Sequence, residues 1–161
     1  MTEETADQTR LPLAPRWEWV TDSVMGGMSG GTMRQAPHHG RPAVRMTGQI
    51  SLENNGGFLQ MAFDVDADTA PWTGLAFDAY GNGETYDIRL KTTDLERPWQ
   101  SFRTAFVAPD RWTTVSFPFQ AFEPYRTTVE FRPSRLRRIG VLAVGRAFEA
   151  DIAISDVWFL R

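Results

Sequence analysis

Cysteine is absent from this chain of 161 residues, which removes disulfides, thiolate metal ligands and cysteine nucleophiles together. A cysteine-free chain is compatible with a reducing compartment. Lysine is nearly absent too: of the 17 Lys and Arg residues, only Lys91 is lysine. Arginine favours bidentate contacts with carboxylates and phosphates. Codon bias is the plainer account of that excess, and Arg135, Arg137 and Arg138 read as a solvated edge. Histidine is confined to His38 and His39, adjacent in a loop flanked by proline and glycine. Neighbours in an extended chain point to opposite sides, so the pair is poorly placed to grip one ion, and no metal site is expected. No nucleophile elbow precedes them that would complete a Ser-His-Asp relay. No apolar run approaches the roughly 20 residues of a bilayer span, so membrane insertion is not expected. The stretch Met1 to Leu13 is polar, acidic at Glu3, Glu4 and Asp7, and lacks the marks of a secretory signal or transit peptide. The expected location is cytoplasmic. A net charge of −3 argues against a nucleic-acid partner held by phosphate neutralisation.

What remains is ordinary in bulk and rich in aromatics. Hydrophobic residues make up 42% and charged residues 23% of the chain, with 11 Phe and 6 Trp available for a core. These values are those of a soluble globular domain. Residues 1–14 read as a flexible tail and residues 15–161 as a single domain, with no linker or repeat inside it.

Period-two alternation recurs through that domain. Val44, Met46, Ile50 and Leu52 fall on one face. Leu59, Met61, Phe63 and Val65 repeat the pattern, as do Tyr86, Ile88 and Leu90 against Asp87, Arg89 and Lys91. Phe102, Thr104 and Phe106 alternate with Ser101, Arg103 and Ala105; Val115 with Phe117 and Ile152 with Ile154 continue the series. Ile139 to Val144 is almost continuously apolar, which suits a central strand covered on both faces. Asn54 to Gly57, Gly81-Asn82-Gly83, Arg97-Pro98 and Pro109-Asp110 supply turns. Short helical turns are expected near Pro118 to Phe122 and Ser134 to Arg138. The fold class is therefore all-β, an antiparallel β-sandwich or jelly roll.

The segment Asp22 to Gly31 carries four glycines, too many for the interior of a regular element. A phosphate cradle would need the Lys-Ser/Thr of a P-loop and a following helix, and both are missing. Gly81-Asn82-Gly83 fails as a dinucleotide fingerprint because Tyr86 stands at the third glycine position and a strand follows. Both are read as structural loops ahead of ligand loops, and no cofactor is expected. If residues 84–92 and 100–107 form a hairpin, parity sets Arg89 opposite Arg103 on the polar face. Like charges across a strand pair destabilise it, so something negative is expected between them, an internal carboxylate in preference to an anionic ligand. Trp72 and Trp99 flank loop ends, either as exposed binding aromatics or as caps on the core.

These motifs together resemble the complex I intermediate-associated protein 30 family. Trp19 to Ser29 is similar to its opening signature, Gly48 to Phe58 to the second, Gly81 to Thr92 to the third and Trp112 to Arg126 to the fourth. Ile139-Gly140 and Ile152 to Val157 match the closing strands. The resemblance implies a galactose-binding-like jelly roll and, for mitochondrial members, assembly of respiratory complex I. It singles out Asp22, Met25, Gly26, Gly27, Ser29, Asn54, Asn55, Gly56, Gly57, Arg89 and Arg126 as signature positions without giving any a catalytic role. Two departures stand out: Thr127 replaces the glycine that commonly follows Arg126, and the stretch from Gly145 to Phe148 is short. The expected function is a non-catalytic protein-binding module whose partner is a membrane-complex assembly intermediate. The competing readings are a carbohydrate or small-anion module using Arg89, Arg103 and Trp99, and an enzyme on the same scaffold.

Overall fold

Alternating side chains give each strand an apolar face to bury and a backbone whose hydrogen bonds need a neighbour. The computed structural model of the chain describes residues 9–21, 27, 29–53 and 57–161. One sheet contains β1 (Arg10–Pro12), β3 (Gly30–His38), β4 (Arg41–Gln49), β6 (Gly74–Tyr80), β9 (Thr113–Pro118) and β12 (Glu149–Leu160). Its order is β3-β4-β12-β6-β9, with β1 added beside β12. The other contains β2 (Glu18–Thr21), β5 (Phe58–Asp64), β7 (Thr85–Thr92), β8 (Ser101–Val107), β10 (Glu123–Tyr125) and β11 (Leu136–Val144). Its order is β10-β8-β7-β11-β5-β2. Neighbours run antiparallel throughout. The chain is an all-β sandwich, as its alternation predicts.

The core lies between the sheets. Met46, Ile50, Leu59, Met61, Phe63, Leu75, Phe77, Ile88, Leu90, Phe102, Ile152, Ile154 and Phe159 are buried there, and aromatic edges interlock, as where Phe106 meets Phe77 at 5.5 Å and Phe117 at 5.7 Å. The expected helical turns occur as 3-10 turns at Phe119–Ala121 and Pro133–Arg135.

Three expectations need adjusting. Leu52 is 53% exposed, because β4 ends at Gln49 and the alternation of faces ends with it. Strand β11 is central, between β7 and β5, yet only its inner face meets the opposing sheet. Its outer face, with Gly140 and Leu142, forms the floor of a groove. Arg10–Pro12 lie within the stretch expected to be loose, but pair with the end of β12. There Leu11 and Leu13 pack on the core and the Leu13 amide donates to the Val157 carbonyl at 2.9 Å.

The described part of the glycine-rich segment has a packing reason. Gly31 on β3 faces Gly48 on β4, and Leu59 presses up beneath both. A Cβ at Gly31 would collide with the Thr47 carbonyl and lie 2.8 Å from the Gly48 Cα.

Candidate functional site

Strand parity decides what the outer face of the second sheet displays. On β7 the residues opposite Tyr86, Ile88 and Leu90 are Asp87, Arg89 and Lys91, all half-buried. On β5 the outward residues are Phe58 and Gln60, and on β11 they are Arg138, Gly140, Leu142 and Val144. All of these except Asp87 floor a groove of about 250 Å³. Gly140 matters at its centre: a side chain there would strike the Gln60 amide, so the missing Cβ lets Gln60 lie across the floor.

One wall is the loop between β7 and β8, and its shape is set by side chains. Gln100 Oε1 accepts from the amides of Glu96 at 3.1 Å and Arg97 at 3.0 Å. Its Nε2 donates to the Arg126 carbonyl at 3.2 Å. Lys91 Nζ donates to the carbonyls of Pro98 and, at 3.3 Å, Gln100. Arg132 braces the far side with a two-point contact to Asp94 at 2.9 and 3.0 Å. This preformed wall holds up Trp99, 56% exposed, against the groove. Trp72, by contrast, is 9% exposed in the core, with Arg161 over its ring. The two tryptophans that sequence could not separate thus split: one caps, the other projects.

Arg89 and Arg103 do sit directly opposite each other on β7 and β8. The negative charge expected between them comes instead from along the same strand. Arg89 is paired with Asp87 at 3.1 Å, and Arg103 lies 3.8 Å from the centre of the Tyr125 ring. Tyr125 on β10 also meets Arg89 at 5.0 Å and Arg126 at 5.2 Å. One ring therefore receives three guanidinium groups, each attracted by its π electrons. Arg126 adopts a left-handed backbone, φ 58°, a conformation that costs a residue with a Cβ about 1–2 kcal/mol. The side chain of Thr127, the departure from the family pattern, turns back to accept from the Val129 amide at 3.1 Å.

Cations dominate the lining. Arg89, Lys91, Arg126 and Arg138 are present, and among the described residues no Asp or Glu lines it, although Asp87 stands beside Arg89 at 3.1 Å. Arg138 is matched from the rim by Glu18 at 2.7 Å and Asp64 at 2.8 Å. Lys91 and Arg126 form no ion pair among the described residues. Burial, and then the charges of Arg137, Arg138 and Arg89, push the Lys91 amine below its ordinary pKa.

Of the expected site residues, the groove gathers Arg89, Arg126 and Trp99, with Arg103 behind Tyr125. Asp22, Met25, Gly26, Asn54, Asn55 and Gly56 lie outside the described residues. Ser29 and Gly57 are buried and Gly27 is half-buried. Ser29 Oγ accepts from the Ser51 amide at 2.8 Å and donates to the Ser51 carbonyl at 3.2 Å, which ties the first signature directly to the second. Gly57, φ 135°, precedes Phe58 at the groove end. Sequence reasoning did not single out Lys91, Gln60, Gln100 or Tyr125. The usable signal was that Lys91, the single lysine, shares a face with Arg89.

His38 and His39 also depart from expectation. The turn at His39, φ 44°, brings both rings to one side, 4.5 Å apart, with His39 stacked on Tyr80 at 4.3 Å. Among the described residues no group of three His, Asp or Glu is placed to hold a metal. No helix there is long and apolar enough to cross a membrane.

This architecture is that of carbohydrate-binding-module jelly rolls. The family 11 module from Clostridium thermocellum, in complex with a β-1,3-1,4-mixed-linked tetrasaccharide, superposes with a TM-score of 0.75 at 10% identity, over 94% of this chain and 95% of that one. The family 30 module of a Clostridium thermocellum cellulosomal cellulase gives 0.62 at 16% identity, over 93% and 96%. A family 61 module, TmCBM61, in complex with β-1,4-galactotriose gives 0.52 at 11%, over 91% and 89%. At such identities the likeness establishes the fold. The sequence itself goes further: residues 6–153 match the model of the Complex I intermediate-associated protein 30 (CIA30) family, and the chain belongs to that family. No curated protein matches it in sequence.

Proposed function

We propose that this chain is a non-catalytic recognition module that holds a protein partner, an assembly intermediate of a respiratory or other membrane complex, against the outer face of its second sheet. The reading sets the domain in the cytoplasm, beside the membrane. Family membership supports the assembly role. The observation that carries the choice of surface is the groove itself, rich in donors, lined by no carboxylate among the described residues and walled by a loop fixed in advance. A surface already ordered before contact loses less entropy when it binds, and an exposed Trp beside arginines is the composition of an interface anchor.

The test is affinity capture of the tagged chain from detergent-solubilised membranes of the native host. Wild type is compared with a variant carrying Arg89→Ala, Trp99→Ala and Arg126→Ala. Membrane-complex subunits recovered by wild type and depleted by about tenfold or more with the variant are the expected result. Equal recovery by both proteins, or none by either, overturns the reading.

A second reading is a saccharide-binding module, favoured by the exposed Trp99 and by neighbours crystallised with oligosaccharides. Retardation of the chain in gels containing mixed-linked glucan or galactan, abolished by Trp99→Ala, would support it.

A further inference from the structure

The groove is built for a ligand of one charge. A neutral sugar hydroxyl both donates and accepts, so a site for it needs acceptors beside its donors. Here the charged lining groups are all donors, Arg89, Lys91, Arg126 and Arg138. The Tyr125 ring, which could otherwise carry a sugar, is faced by Arg103, Arg89 and Arg126. Lys91 spends two of its three N–H groups on the Pro98 and Gln100 carbonyls, which leaves one to give. Arg126 uses its backbone to anchor Gln100, and among the described residues its guanidinium meets only the Tyr125 ring.

The two ends of the groove differ in kind. The strand register sets Phe58 and Val144 toward one end, with Leu142 across from Asp87, and sets Lys91 beside Arg138 toward the other. Trp99 and Arg126 also line the groove. An occupant must therefore present anionic acceptors and apolar groups within a short reach. A polypeptide does this by alternating its side chains; a uronic-acid glycan supplies the carboxylates but lacks the apolar groups.

We infer that the groove takes an extended acidic segment of polypeptide, its Asp or Glu carboxylates on Lys91 and Arg126 and its apolar side chains against Phe58, Val144 and Trp99. The inference rests on the protein-partner reading above and names the chemistry of the contact. Burial first, and then repulsion from Arg137, Arg138 and Arg89, holds the Lys91 amine down, and a carboxylate arriving there offsets the repulsion. Rim charges of this type act strongly on association and on salt sensitivity.

The test uses the full chain and three probes: a labelled decapeptide alternating Glu with Leu, the same peptide with Gln for Glu, and an oligogalacturonate. Fluorescence anisotropy reports the binding of each. The Glu peptide is expected to bind, to weaken about tenfold between 50 and 300 mM salt, and to exceed the Gln peptide by about tenfold or more. Lys91→Gln and Arg126→Ala should each weaken it about fivefold or more, while Arg41→Ala on the opposite sheet leaves it unchanged. Circular dichroism confirms that each variant is folded. Equal binding of the Glu and Gln peptides, tighter binding of the oligogalacturonate, or no binding of the Glu peptide overturns the inference. The two proposals fail separately. Subunits captured by wild type and lost by the triple variant, with no Glu-dependent peptide binding, sink this inference and leave the assembly reading standing. Glu-dependent peptide binding with no captured subunits does the reverse.

Discussion

On the outer face of the first sheet, Arg45 gives its guanidinium to Asp151 at 2.7 and 2.8 Å. Arg41 reaches Asp78 at 3.2 Å, and Thr114 donates to the same carboxylate. Trp112 closes the cluster by donating to the carbonyls of His38 and His39 at 3.2 Å each. On the outer face of the second sheet, Lys91, Arg103 and Arg126 form no ion pair among the described residues, and a groove lies open between the strands. The strands of both faces come from the same alternating pattern, yet Arg41 and Arg45 on one are matched by carboxylates. On the other, Arg89 and Arg138 are matched, while Lys91, Arg103 and Arg126 are left over among the described residues. Polar groups already paired offer a partner little, since any new contact must first break an old one. Donors left over, on a braced surface, are where recognition is cheapest.

Tyr86 joins the two faces through the core, and breaking it gives the largest expected effect. Its hydroxyl donates to Asn82 Oδ1 at 2.7 Å and accepts from the Asp151 amide at 2.9 Å, directly beneath the Arg45–Asp151 pair. Burial, the leading cause, pushes its pKa up to about 12. The folded state thus favours the protonated phenol. Its contribution is complete below about pH 10, where an unfolded tyrosine ionises, and is lost as pH rises through about 12. Two pKa units correspond to about 3 kcal/mol. Urea titrations from pH 9 to 12 should show that decline, and Tyr86→Phe should flatten it while costing about 1–3 kcal/mol at pH 7.

Arg126 sharpens the contrast next. Its left-handed backbone is a local cost borne at a binding surface. Arg126→Gly should therefore stabilise the chain, by up to about 1 kcal/mol once the greater unfolded freedom of glycine is counted, while weakening acidic-peptide binding. A thermal melt paired with the anisotropy titration checks both, and a destabilised variant would show that the conformation carries no strain.

The smallest effect belongs to the paired face. Burial first, then the charges of Arg45 and His39, holds the pKa of His38 below its ordinary value, against the opposing pull of Asp151. The unfolded state binds the proton more readily, so stability falls as pH drops below about 6.5 toward the lowered value. A loss of under about 1 kcal/mol is expected between pH 6.5 and 5 at this partly exposed site, and His38→Gln should abolish it. Proton-resolved titration of His38 that gives an ordinary or raised pKa would refute the prediction.

Much of this was legible in the chain. Alternation at Tyr86, Ile88 and Leu90 set β7 with Arg89 and Lys91 outward, and the same parity in β8 put Arg103 across from Arg89. Leu52 misled because alternation says which face a residue takes only while the strand lasts, and β4 stops at Gln49. The apolar run in β11 marked a central strand that is buried from Ile139 to Ala143; it did not show that the outer face, half-buried at Val144, floors a groove. Trp72 and Trp99 could not be told apart, since both stand at loop ends and only packing separates them.

Local order along the chain therefore determined the strands, their faces, the family and the absence of cysteine chemistry, because each depends on residues a few positions apart. Only the tertiary structure decided that Gln100 would brace a wall through Arg126, that Tyr125 would gather three arginines, and that Lys91 would be left without a carboxylate among the described residues. Those outcomes depend on which strands become neighbours. Strand pairing across dozens of residues is settled by the whole core rather than by any stretch of it.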